Sequence, residues 1–329
     1  MSRATVDHLP MRNFERDPLR VAVLGLIEGN YHPYSWSAII NGYDAALMAS
    51  CPAPVIAAYP GRQPAGSVRI PMARVTHIWT DDPAEAPRVA AAALIPHVAA
   101  RPEDVIGQVE AVIIATDDGN DHVRRVAPFV AAGLPVFVDK PLATNVADLA
   151  RFKAWRDEGA TIVSSSGLRY APEVAALRGK PWRWLTGSTC KSWQRYGIHV
   201  LEPIYTVTGP GFIRVRARQA GPTMQVDVEH RNGTRVTLMA IEEGFGSAFV
   251  LHGYADAGHV SVELRDTYSA FRSQLVGFLE YAAGRGPEPH PFAETVELMA
   301  VVIGALRSAE QDGRVVEIAP LVAALGQTP

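Results

Sequence analysis

Residues 20–36 read RVAVLGLIEGNYHPYSW, and the parsing of this stretch settles the architecture. RVAVLG (20–25) is a short apolar run closed by Gly, the form of a strand buried on both faces of a parallel sheet. Pro33 suits the first turn of a helix, where its missing N–H breaks no bond. PYSWSAIINGYDAALMAS then carries Ile39, Tyr43, Ala46 and Leu47 at helical spacing. Strand, glycine turn and helix in that order open a doubly wound α/β domain.

The segments downstream repeat the unit. VIAAY (55–59) reads as a second strand stopped by Pro60-Gly61, and THIWT (76–80) as a weaker one before an Ala-rich helix at 83–95. VEAVIIAT (109–116) is a strand and DHVRRVAPFVAAG (121–133) a helix, with Asp121 as N-cap and His122 at its start. PVFVDKP (135–141), a helix at 146–158 and TIVSSSG (161–167) complete the alternation. The prediction is a tail or arm at 1–18 and a parallel-sheet domain over 19–166.

From 167 to 329 the pattern changes. Segments 182–193, 212–220, 224–241 and 248–264 are rich in β-branched and aromatic residues, and RNGT (231–234) has the Asn-Gly of a tight hairpin turn. Helices at 269–284 and 292–311 close the chain. An α+β domain with a largely antiparallel sheet is predicted, with helices on one face. The other face, carrying TLMAIEE and AFVLHGY, is expected to be partly apolar and to pair as a homodimer or a dimer of dimers.

Composition narrows the class. The 329 residues are 48% hydrophobic and 20% charged with net charge −3, which predicts a globular protein with no general attraction for nucleic acid or membrane. The longest apolar run, Val89 to Ile95, is too short to cross a bilayer, and the first residues have no apolar core of a signal peptide. Two cysteines, Cys51 and Cys190, suit a reducing cytoplasm and exclude a disulfide framework. Asp117, Asp118, Asn120 and His122 follow one strand without any metal-ligand spacing, so no metal is expected.

Three stretches together resemble the Gfo/Idh/MocA family of nicotinamide-dependent oxidoreductases. They are VAVLG, VFVDKPLATN (136–145), similar to the family's Glu-Lys-Pro segment, and YGIHVLEPIY (196–205), similar to its Gly-Ile-His helix. The resemblance implies a Rossmann domain holding NAD or NADP, a second domain closing a cleft, and a sugar, cyclitol or polyol substrate. It makes Lys140 and His199 the catalytic pair. It sets Gly25, Ile27, Glu28, Asn30, Arg62, Thr116, Asp117, Asp139 and Pro141 at the cofactor; Arg195 and Glu202 are candidate substrate residues, as are Tyr170 and Lys191, on segments expected to face the cleft or to pack at the domain interface. The expected enzyme transfers hydride between nicotinamide and a polyol, sugar or carboxylated sugar; the alternative is a non-redox ligand-binding or regulatory member of the family.

Three departures bear on that choice. Ile27 and Asn30 stand where the family has glycines that let pyrophosphate approach, and Glu28 adds a negative charge. The strand ending at Tyr59 lacks an acid for the ribose; Arg62 follows, either to meet the 2′-phosphate of NADP or as a solvated turn residue. Arg195 replaces the Asp usual four residues before His199, and a guanidinium is no proton acceptor. Arg195, His199 and Glu202 share one helix face, so Glu202 is expected to raise the His199 pKa and Arg195 to grip an anionic group or to join a plain charge ladder.

Overall fold

The computed structural model describes residues 17–64, 67–244 and 249–326, so the expected arm at 1–18 lies, but for its last two residues, outside the described residues. The first sheet is parallel and runs β3-β2-β1-β4-β5-β6. Its strands are β1 (Leu19–Leu24), β2 (Ala73–Trp79), β3 (His97–Val98), β4 (Ala111–Ile114), β5 (Val136–Val138) and β6 (Ile162–Val163). Helices α1 (His32–Asn41), α2 (Ala45–Met48), α3 (Pro54–Gly61), α4 (Glu85–Ala92), α5 (His122–Ala131) and α6 (Val146–Asp157) connect them. The strand order is that of a doubly wound dinucleotide-binding sheet, with the crossover reversing beside β1 and β4.

Two local expectations are corrected. Residues 55–59 are not a strand: Pro54 starts helix α3, Val55 is 70% exposed while Tyr59 is buried, and the place beside β1 belongs to β2. A contiguous apolar run does not by itself separate strand from helix, and Pro at the first helical position decides here. The helix expected from Pro33 to Ser50 breaks into α1 and α2 at Gly42, whose φ of +84° ends the first piece.

The second sheet runs β12-β11-β7-β10-β9-β8-β13. It comprises β7 (Trp184–Cys190), β8 (Phe212–Ala220), β9 (Thr223–His230), β10 (Arg235–Ile241), β11 (Val250–Ala255), β12 (Gly258–Glu263) and β13 (Val316–Glu317). β7 and β10 pair parallel; the other pairs are antiparallel. RNGT makes the β9–β10 turn, with Gly233 at φ +90°. Helices α7 (Trp193–Tyr196), α8 (Ile198–Thr208), α10 (Phe292–Glu310) and α11 (Ile318–Ala324) follow, and the apolar residues of α8 and α10 join one core with β8, β9 and β10. Met239, Trp184 and Tyr254 stay exposed on this sheet.

Helix α9 (Thr267–Ala282) does not pack with its sequence neighbours. Tyr268, Phe271, Leu275, Phe278 and Leu279 join the core of the first sheet, against Trp36 and Phe137. Two halves of the chain are thus bound by a helix returned from the second to the first.

Candidate active site

β1 delivers Gly25 into a turn that only glycine fits: φ is +96°, and an added Cβ would lie 2.6 Å from Thr116 Cγ2. The Leu26 N–H donates to Asp81 Oδ2 at 3.0 Å, which ties the turn to the end of β2. Asn30 N–H closes the next turn on Ile27 O at 3.0 Å, with Gly29 at φ +79° between them. Asn30 Oδ1 accepts the His32 N–H and its Nδ2 donates to Asp139 Oδ2. His32 Nδ1 lies 2.8 Å from the same oxygen, and Lys140 N–H donates to Asp139 Oδ1. The buried Asp139 carboxylate therefore spans from the end of β5 to the start of α1. Burial works to raise its pKa, but Lys140 and His32 outweigh burial and hold it low.

Lys140 follows Asp139 at the carboxyl edge of the sheet, where doubly wound folds bind ligands. Its Nζ is 3.6 Å from Asp117 Oδ2, and both side chains are buried. Burial would lower the Lys140 pKa; Asp139 and Asp117 overcome it and raise it above the ordinary lysine value. Asp117 in turn would be raised by burial, but Lys140 and Arg195 bring it to about 2. Arg195 Nη2 donates to Asp117 Oδ1 at 2.6 Å and reaches Glu28 O at 3.4 Å. Lys191 Nζ donates to Gly29 O at 3.1 Å and to Tyr196 Oη at 2.7 Å. Lys140 and Lys191 lie over the Tyr196 ring at 4.7 and 4.3 Å, and that ring meets His199 edge-on at 4.8 Å. Tyr196 is thus the hub where Lys140 and His199 converge.

The His199–Glu202 expectation is corrected. His199 Nδ1 is bonded to Ser166 Oγ at 2.7 Å, while Glu202 accepts the Ser166 N–H and the Arg169 guanidinium. Burial, aided by Lys140, His32 and Lys191, puts the His199 pKa well below its ordinary value, so the imidazole is neutral. Glu202 is pushed up to about 7 by burial, against the pull of Arg169 and the Ser166 N–H. Arg169 also pairs with Glu294. Tyr170 lines a separate groove of about 320 Å³ with Arg169, Arg178, Tyr205 and Glu294, whose lining holds neither Lys140 nor His199.

The Arg62 expectation rested on a strand that is a helix, and Arg62 is the residue capping the end of α3. The true second strand, β2, runs into Thr80-Asp81-Asp82, so an acid does stand at that place. The sequence reading places this strand third, after 55–59, and so passes over Asp81; the signal is the acidic pair directly after THIWT. Asp81 is also bonded to Arg125 at 2.6 Å, and Arg125 to Asp121. Asp121 occupies the N-cap position of α5 but gives its carboxylate to Arg124 and Arg125 instead of the helix amides. His122 is fully buried between Thr116 O and Leu142 O, a brace between two loops. Pro141 packs its carbonyl against Gly119.

Residues 19–166 match the profile of an oxidoreductase family with an NAD-binding Rossmann fold, Gfo/Idh/MocA. This first domain is a member of the Gfo/Idh/MocA family. The fold recurs in solved structures. A myo-inositol 2-dehydrogenase from Lactobacillus plantarum superposes with TM-score 0.71 at 13% identity, over 91% of this chain and 99% of that one. An oxidoreductase from Agrobacterium radiobacter, in complex with NAD+, L-tartaric acid and magnesium, gives TM-score 0.70 at 14% identity over 92% and 99%. A myo-inositol dehydrogenase from Corynebacterium glutamicum gives 0.67 at 15% over 91% and 98%. No curated protein sequence matches the chain significantly.

This Gfo/Idh/MocA domain retains features that fit a dinucleotide. The Gly25 turn is a tight cradle, the buried Thr116 hydroxyl beside it has no partner among the described residues, and Asp81 stands after β2. Among the described residues no helix is long and apolar enough to cross a membrane.

Proposed function

We propose that the chain is an NAD(H)-dependent oxidoreductase acting on a hydroxyl-bearing carbon of a polyol, sugar or carboxylated sugar. One observation carries the reading: Lys140, from the first domain, and His199, from the second, meet at the Tyr196 ring. The family profile and the two inositol dehydrogenases of like fold support it. Asp81 favours NAD over NADP, because a carboxylate suits ribose hydroxyls and repels a 2′-phosphate.

The nucleotide supplies hydride acceptance or donation at its nicotinamide ring. The chain's own residues handle charge and protons. Lys140 stays an ammonium, held so by Asp139 and Asp117, and stabilises negative charge growing on the reacting oxygen. His199 is a neutral imidazole oriented by Ser166, the state needed to take a proton. Glu202, itself held by the Arg169 guanidinium, accepts the Ser166 N–H and thereby helps position His199. Fluorescence titration with NADH tests the reading: binding in the micromolar range is expected, and absence of binding at millimolar concentration overturns it.

The non-redox alternative draws on the same cluster. The Asp117–Arg195 ion pair ties the second domain to the first, and Asp117 also pairs with Lys140, which is only 2% exposed. Reduction of NAD+ by any member of a polyol and sugar-acid panel would rule that alternative out. We also propose a homodimer or dimer of dimers through the open sheet face around Trp184, Met239 and Tyr254; sedimentation giving only monomer at micromolar concentration would contradict it.

A further inference from the structure

The start of α1 and the last residue of the glycine turn offer few free donors to a diphosphate. The His32 N–H goes to Asn30 Oδ1, the Asn30 N–H to Ile27 O and the Tyr34 N–H to Tyr31 O, while Pro33 has none. Two cations from the second domain lie over the same turn. Lys191 Nζ and Arg195 Nη2 come within 3.7 and 4.0 Å of where a Gly29 Cβ would be.

Both cations have donors to spare. Lys191 spends its two bonds on Gly29 O and Tyr196 Oη, which leaves a third N–H, and it has no carboxylate partner among the described residues. Its backbone sits at φ +58°, a region that residues with a Cβ rarely adopt and that clusters at ligand sites. Arg195 uses only Nη2; its Nε is buried with no acceptor among the described residues. The Thr116 hydroxyl below the turn is buried and equally unpartnered.

We propose that Lys191 and Arg195 bind the diphosphate of the dinucleotide, so that the second domain completes a phosphate site the turn alone lacks. The inference rests on the NAD(H) reading above. It removes both residues from the substrate and explains why Ile27 and Asn30 are tolerated: charge from across the cleft replaces close backbone approach.

The test is calorimetric titration of the full chain with NADH, ADP-ribose and adenosine, at low and moderate salt. The variants are Lys191→Met and Lys191→Arg, each checked by circular dichroism. Lys191→Met is expected to weaken NADH and ADP-ribose about ten-fold, to leave adenosine unchanged and to flatten the salt dependence. Lys191→Arg should keep most of the affinity. NADH binding that is unchanged or tighter in Lys191→Met overturns the inference while leaving the NAD(H) reading intact. Equal losses for NADH and adenosine overturn it too. A wild-type chain that binds no NADH overturns both.

Discussion

Lys140 and Asp117 face each other at 3.6 Å, one at the end of β5 and the other just past β4, both shielded from water. Asp117 also holds Arg195, so one carboxylate compensates a cation from each domain. Removing it leaves a buried ammonium with half its counter-charge. Asp117→Asn is expected to lower stability by about 3–5 kcal/mol, the usual loss when one partner of a buried pair is deleted. Chemical denaturation checks this; a loss below about 1 kcal/mol would show that the pair contributes little.

Gly25→Ala should be damaging for two separate reasons. The backbone is at φ +96°, and the new methyl group would press on Thr116 at 2.6 Å. About 1–3 kcal/mol of destabilisation is expected, together with weakened NADH affinity. Gly107→Ala serves as a control, since its φ is +80° but nothing lies within 4 Å of its Cβ. The difference between the two variants isolates the contact.

Asp81→Ala is expected to weaken NADH about ten-fold and to narrow the preference for NADH over NADPH. Part of the effect comes from freeing the Leu26 N–H and Arg125, both held by this carboxylate. Parallel titrations with the two nucleotides measure it. A wild-type chain that prefers NADPH would contradict the role given to Asp81.

Acid should weaken the fold in a defined window. Burial holds His199 neutral, and burial with Arg169 brings His290 to about 3. With folded values below the ordinary 6.5, the unfolded chain takes up protons first as pH falls, so their stabilisation is whole above 6.5 and lost below it. His290 loses about 2 kcal/mol by pH ~5, and His199 adds a loss of the same sign. Glu202 acts oppositely: its carboxyl, raised by burial from 4.5 to about 7, favours the fold at low pH and loses that contribution as pH rises through 7. The thermal midpoint should therefore fall between pH ~6.5 and ~5, and fall more steeply in Glu202→Gln. A flat profile in both proteins would contradict these assignments.

Much of the site could be read from the chain where its signal is local. Lys140 and His199 sit in contiguous motifs, and the strands β1, β4 and β5 are short apolar runs between turns. What escaped was set by distance in sequence. The partner of Arg195 is Asp117, 78 positions away, and Ser166 reaches His199 across 33; no spacing rule encodes such pairs. The 55–59 segment misled because its apolar residues are consecutive, and it displaced Asp81 from the count of strands. Tyr196 heads the YGIHVLEPIY segment, yet its place is not legible there, since a ring between two lysines is visible only once β5, β7 and α7 are assembled.

Helix α9 sets an order of events for synthesis. Phe271 and Phe278 belong to the core beneath α1 and β5, yet they emerge more than a hundred residues after β6. The nucleotide-binding half therefore leaves the ribosome with an uncovered apolar flank and closes only when α9 returns to it. Cutting the chain after the first sheet would yield a sticky fragment, not a miniature of the nucleotide-binding half.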